Sequence, residues 1–150
     1  MIKIIRTNSD NKDFIELVKN LDSVLARLDG NDHSFYAQFN MIDKIKHAVI
    51  AYQDDNPVSC GAIKEYISAT MEIKRMFTLP DYRGKGLATK VLAELELWAT
   101  ELSCQKCILE TSRKQPEAVA LYKKNGYKLI SNYGQYKGIE NSVCFEKKIK

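Results

Sequence analysis

Phe14, Leu17, Val18, Leu21, Leu25 and Leu28 recur three and four positions apart, the interval that places side chains on one face of an α-helix. Asp10 offers an N-terminal cap for that helix and Gly30 a stop. Before it, Met1–Arg6 alternates as a strand does. After it, Asn31–Asn40 is polar and aromatic and reads as a short helix and loop. His47–Gln53 and Val58–Glu65 read as two strands joined by Asp54-Asp55-Asn56-Pro57, a turn sequence. Ser68-Ala69-Thr70 makes a second turn, and Met71–Thr78 a further strand. Leu87–Leu102 is a helix with its apolar stripe on Ala88, Val91, Leu92, Leu95, Trp98, Ala99 and Leu102. Lys106–Glu110 is short and apolar enough for a buried strand. Pro116–Asn125 is helical, with proline in its first turn and Gly126 just past its end. Tyr127–Ile130 and Val143–Lys147 close the chain as strands.

The order is β-α-α-β-β-β-α-β-α-β-β. Hairpins come first and β-α-β units later, which predicts an α/β (α+β mixed) fold: a central mixed, mostly antiparallel sheet flanked by helices. A chain of 150 residues without repeat or linker is expected to form one domain, residues 1–150. Apolar residues make up 45%, enough for a core that needs neither disulfides nor metal. The net charge of +4 is dispersed, not striped, which argues against a nucleic-acid partner. No apolar run has membrane-spanning length, and the polar start MIKIIRTNSD is unlike a signal peptide, so a cytoplasmic protein is expected. Cys104-x-x-Cys107 has the spacing of a metal or redox pair, but no second Cys or His pair accompanies it. The four cysteines are expected in or near the core, with no metal.

Between the strand ending at Thr78 and the helix beginning at Leu87 lies Arg83-Gly84-Lys85-Gly86. A helix start exposes unpaired N–H groups and partial positive charge. Glycines let a backbone approach a ligand, and Arg83 and Lys85 add formal charge. That is the chemistry of a phosphate or pyrophosphate site. The spacing matches neither G-x-x-x-x-G-K-[ST] nor G-x-G-x-x-G. On residues alone, a plain turn leading into a helix remains open.

The segment Arg83-Gly84-Lys85-Gly86-Leu87-Ala88 resembles the R-x-x-G-x-G/A motif of the GNAT N-acetyltransferase superfamily, in the place that family has it. A second likeness follows. Ala118-Val119-Ala120-Leu121-Tyr122, then Asn125-Gly126-Tyr127, resembles the family's A-x-x-L-Y-x-x-x-G-F/Y segment. The motif-bearing part runs from about Glu72 to Tyr127.

The resemblance implies acetyl-coenzyme A as cosubstrate. It places the pyrophosphate on the N–H groups of Arg83, Gly84, Lys85, Gly86, Leu87 and Ala88, with Thr89 adding a hydroxyl, and the pantetheine arm along Met76, Phe77 and Thr78. It implies Tyr122 as the acid that protonates the departing thiolate, and Glu72 as the base, acting directly or through water. A backbone N–H of Phe77 or Met76 would meet the developing oxyanion. Read as residues, Tyr122 is equally a core aromatic beside Ala118 and Val119, and Glu72 a strand-face carboxylate paired with Lys74 or Arg75. The acceptor pocket is expected from His33–Asn40, including Phe35 and Tyr36, and from the loop holding Tyr133 and Tyr136. Arg75 and Arg113 would greet a carboxylate if they face it. The implied reaction is direct acetyl transfer to a primary amine of a small molecule. A protein or peptide acetyltransferase, or a coenzyme A-binding regulatory domain, is the alternative. The family also makes a homodimer the expected assembly, with no membrane or nucleic acid involved.

Overall fold

The computed structural model describes residues 1–30 and 45–150. Ten elements follow in order: β1 (Ile2–Thr7), α1 (Lys12–Asp29), β2 (His47–Gln53), β3 (Asn56–Ile67), β4 (Thr70–Thr78), α2 (Leu87–Glu101), β5 (Lys106–Ser112), α3 (Pro116–Lys124), β6 (Lys128–Ile130) and β7 (Ser142–Lys148). The strands form a seven-stranded sheet in the order β1-β2-β3-β4-β5-β7-β6. The pairs β1–β2, β2–β3, β5–β7 and β6–β7 are antiparallel, and β4–β5 is parallel. The mixed, mostly antiparallel sheet expected from the pattern is present. The expected second helix falls within residues 31–44, outside the described residues.

The chain packs as two compact units, one of Met1–Lys64 with Lys74–Leu95, the other of Glu65–Ile73 with Glu96–Lys150. In the first, α1 buries Phe14, Leu17, Val18 and Leu21 against Ala48 and Ile50 of β2, Cys60 and Ala62 of β3, and Phe77 of β4. Each such side chain contributes about 1.5–3 kcal/mol as an upper figure. The cap of α1 is Asn11, not the expected Asp10. The Asn11 side chain accepts from the N–H groups of Asp13 and Phe14, at 2.8 and 3.1 Å, while the Asp10 N–H is spent on Asn8.

Alternation along β3 turns Gly61 away from the Cys60 and Ala62 side. A Cβ at Gly61 would press on Met76 Sδ and lie 2.9 Å from Leu95 Cδ1, so glycine here lets Met76 and α2 pack over the strand without those side chains shifting. The β2–β3 turn works without glycine: Asp54 and Asp55 both adopt positive φ, 51° and 70°, the primed-turn geometry short polar side chains tolerate. On α2 the inward face is Leu87, Val91, Leu92, Leu95 and Ala99. The expected stripe included Leu102, but the helix ends at Glu101 and Leu102 turns outward.

In the second unit β5 is the hub, pairing along its length with β7 from Lys106↔Lys148 to Ser112↔Ser142. Its ladder with β4 is short: Thr70↔Lys106, Met71↔Cys107 and Glu72↔Ile108. It stops there, although β4 runs on to Thr78 and β5 to Ser112. All four cysteines are buried and unbridged, as expected of small core residues. Burial pushes the Cys60 and Cys107 thiols up to about 12 and Cys144 to about 11, so none is an ionised nucleophile near neutral pH. Among the described residues, no group of three or more His, Cys, Asp or Glu is placed to hold a metal ion, and no helix is long and apolar enough to cross a membrane.

Candidate active site

The first unit carries the glycine loop. Pro80–Tyr82 makes a single 3-10 turn, with the Tyr82 N–H on Leu79 O at 2.9 Å and the Arg83 N–H on Pro80 O at 3.3 Å. Arg83's amide is therefore used inside the turn, which removes it from the expected set of anion donors. Gly84 and Gly86 both stand at φ 79°, a conformation that costs other residues energy. Among the described residues nothing lies within 4 Å of where their Cβ atoms would be, so these glycines serve backbone conformation rather than packing against them. Gly86 O accepts the first helical bond, from the Lys90 N–H at 3.1 Å, which makes Gly86 the N-terminal cap of α2. The helix start leaves the amides of Leu87 and Ala88 without intrahelical acceptors.

The charges at this loop are anchored. Arg83 Nε donates to Thr78 O at 2.9 Å, and its guanidinium sits 5.7 Å from the Phe77 ring centroid. Lys85 Nζ lies 5.3 Å from the Tyr82 ring centroid. The Ser59 hydroxyl donates to Phe77 O at 3.0 Å and lies 2.8 Å from Thr78 Oγ1. Met76, Phe77, Thr78 and Arg83 thus form one connected end of β4 leading into the loop.

Just before Met76, Arg75 holds a left-handed φ of 59° inside the strand. Such a residue costs roughly 1–3 kcal/mol and breaks the regular alternation of peptide planes. Its guanidinium is buried and bonded through Nη2 to Asp22 Oδ1 at 2.6 Å, and its carbonyl takes the Cys60 thiol at 3.4 Å. Arg113, the other arginine considered for a carboxylate, is exposed. It fastens the last loop, donating from Nε to Glu140 O at 2.9 Å and from its amide to Asn141 O at 2.8 Å.

The second unit carries the titratable cluster. Glu72 is buried and accepts the Tyr133 hydroxyl on Oε2 at 2.5 Å. Glu72 stands opposite Ile108, so alternation puts Glu110 on the same sheet face. Glu110 Oε2 accepts the Ser142 hydroxyl at 2.7 Å. Tyr133 packs edge-on against Tyr66 and Tyr136, at centroid distances of 5.1 and 5.7 Å. Burial first, then the Glu72 charge at Tyr133 and the Glu110 and Glu72 charges at Tyr136, keep both protonated far above the usual tyrosine range. Tyr133 and Tyr136, expected as pocket residues, are engaged in fixing Glu72 and the loop. Asn132 Nδ2 gathers that loop, reaching the carbonyls of Tyr136, Ile139 and Ser142 at 3.0–3.1 Å. Phe35, Tyr36 and the rest of His33–Asn40 lie outside the described residues.

Tyr122 is buried on α3, its ring against Tyr127 and Phe145 at 5.8 and 6.3 Å. Its ring is thus a core aromatic, yet its hydroxyl makes no hydrogen bond among the described residues. Burial, then the nearby Glu110 charge, raise its pKa, so it is a phenol at any physiological pH. Its neighbour Tyr127 contrasts with it, donating to Glu96 at 2.8 Å. Sequence reasoning missed Glu110, Tyr66 and Asp22. Period two along β5 was the one signal able to find Glu110, because it shares a face with Ile108.

The first unit thus carries a strand with a left-handed residue and a glycine loop at a helix start, and the second a buried phenol near the Glu110 charge. The profile of the acetyltransferase (GNAT) family matches residues 15–127, and the chain belongs to that family. It is 27% identical over 135 residues to the IAA acetyltransferase of Azospirillum brasilense, covering 89% of this chain and 88% of that one. A Klebsiella pneumoniae crystal structure, described as an acyl-CoA N-acyltransferase, superposes with a TM-score of 0.84 at 28% identity, over 100% of this chain and 99% of that one. The PaiA N-acetyltransferase of Thermoplasma acidophilum, solved with coenzyme A, shares the fold at a TM-score of 0.73 and 19% identity, over 99% of each chain. The protein is an acetyltransferase of the GNAT fold.

Proposed function

We propose that the protein moves the acetyl group of acetyl-coenzyme A directly to a primary amine of a small molecule, in a ternary complex. The observation that carries this reading is the loop. Two glycines at positive φ stand at the capped start of α2, directly after β4. The groups present there suit a pyrophosphate: N–H groups of Gly84 through Ala88, with Arg83 and Lys85 beside them. Beyond Glu72 the ladder between β4 and β5 has ended, and Met76, Phe77 and Thr78 are the stretch of β4 left for the pantetheine amides. Acetyl-coenzyme A supplies an activated acyl group, so the chain needs only to place it and to move protons.

In this reading the amine nitrogen bonds the acyl carbon and the carbon–sulfur bond breaks. Glu72 takes the proton that the amine loses, and Tyr122 delivers one to the departing sulfur. Tyr133, donating to Glu72, fixes the carboxylate in one position. The tightly self-packed Tyr66, Tyr133 and Tyr136 favour a small acceptor over a polypeptide lying in an open groove.

Calorimetry with acetyl-coenzyme A alone tests the reading, followed by mass spectrometry of an amine panel. One-to-one binding and acetylated small amines are expected; absence of binding, or modification of peptides alone, would overturn it. Glu72→Gln tests the base. The acidic limb of the kcat/KM profile is expected to move to higher pH, with a loss of about 10²-fold at pH 7 that shrinks as the amine deprotonates by itself. An unchanged profile removes Glu72 from proton transfer.

A further inference from the structure

We propose that Arg75 is the receptor for a carboxylate on the acceptor, so that the substrate amine belongs to an amino-carboxylic acid. This rests on the acetyl-transfer reading above and narrows its substrate class. The Arg75 side chain is 1% exposed, yet Nε and Nη1 are buried without a hydrogen-bond partner among the described residues. A guanidinium carries five N–H donors, and only Nη2 is engaged, by Asp22 Oδ1. Buried donors are nearly always satisfied, and an orphaned pair on a cation is costly to maintain.

Asp22 is 53% exposed, so water already shares its charge and it screens the arginine weakly. It takes one Nη2 hydrogen and leaves the other, which makes with Nε or with Nη1 a fork that a carboxylate's two oxygens match. Water would satisfy the donors singly but would not match the fork. The location supports a substrate role. Arg75 stands next to Met76, at the start of the stretch assigned to the acyl donor, and its strained backbone is held by the Asp22 and Cys60 contacts. A buried cation there repels a polyamine and favours an acceptor that brings an anion with its amine.

The test is steady-state kinetics with acetyl-coenzyme A on matched pairs: α- and ω-amino acids against the same amines lacking the carboxylate. The wild-type protein is expected to favour the carboxylate-bearing member by about 10- to 100-fold in kcat/KM. Arg75→Met should erase that preference, raising KM for the carboxylate-bearing member about 10-fold or more beyond any change seen with its decarboxylated partner. Arg75→Lys should restore part of it, because the charge returns without the fork. Should Arg75→Met fail to fold, the wild-type protein suffices. The carboxylic acid lacking the amine must then inhibit competitively against the acceptor, and failure to inhibit overturns the proposal. Equal use of both members of each pair, or a preference that survives Arg75→Met, overturns it with acetyl transfer intact. No acetyl-coenzyme A binding and no transfer to any amine overturns the transferase reading and this inference with it.

Discussion

Gly86→Asp is expected to lower acetyl-coenzyme A affinity by at least about 10³-fold, to below calorimetric detection, while the protein remains folded. Two effects act together. Gly86 stands at φ 79°, where a side chain costs roughly 1–2 kcal/mol of backbone strain. Among the described residues no atom lies within 4 Å of the added Cβ, so the new group meets no neighbour there and the core is untouched. The carboxylate instead occupies the open side of the loop, where a pyrophosphate would lie, and like charges at hydrogen-bond distance cost several kcal/mol when partly desolvated. Gly86→Ala separates the two effects. It keeps the strain without the charge and should weaken binding by only about 10-fold. Full-affinity binding by Gly86→Asp would show that the loop is not the phosphate site. Unfolding of Gly86→Asp would be seen by circular dichroism and would leave Gly86→Ala as the deciding variant.

The loop was legible in the sequence because backbone chemistry dictated its residues. Positive φ before a helix calls for glycine, and Gly84 and Gly86 stand where that demand falls. Periodicity likewise exposed α1 and α2, since Phe14, Leu17, Val18 and Leu21 had to share a face to be buried. Ends were less legible. Asn8, Ser9, Asp10 and Asn11 are all competent caps, and the choice of Asn11 depends on where the chain leaves β1. Leu102 fits the stripe of α2 by spacing, but the helix stops one residue earlier.

The carboxylate cluster was hidden for a different reason. Glu72 and Tyr133 are 61 positions apart, and Glu110 meets Ser142 across a strand pair whose register no local pattern specifies. The residue types of the last loop suggested a ligand pocket. The structure adds their contacts with one another: Tyr133 on Glu72, Tyr66 and Tyr136 edge-on against Tyr133, Asn132 on three carbonyls. Arg75 shows the same limit. Its charge was visible, but not its burial, its left-handed backbone or its partner on α1.

Tyr122→Phe is expected to reduce kcat by about 10- to 10³-fold with acetyl-coenzyme A affinity within twofold of wild type. The phenol is held protonated by burial and by Glu110, so it is available as an acid across the whole working range. The hydroxyl has no hydrogen bond to lose among the described residues, which makes phenylalanine close to an isostere in packing. Removing a hydroxyl that makes no hydrogen bond is near neutral for stability, whereas removing a bonded one costs about 1 kcal/mol. Stability and catalysis therefore make opposite forecasts for this one atom. A structural tyrosine would lose stability and keep its rate; the proton donor keeps stability and loses rate. The thiolate is a good leaving group, which bounds the loss and places it in kcat more than in KM. An acceptor-independent drop in kcat with an undiminished urea midpoint would establish the acid. An unchanged kcat would return Tyr122 to the core and require another source for the proton on sulfur.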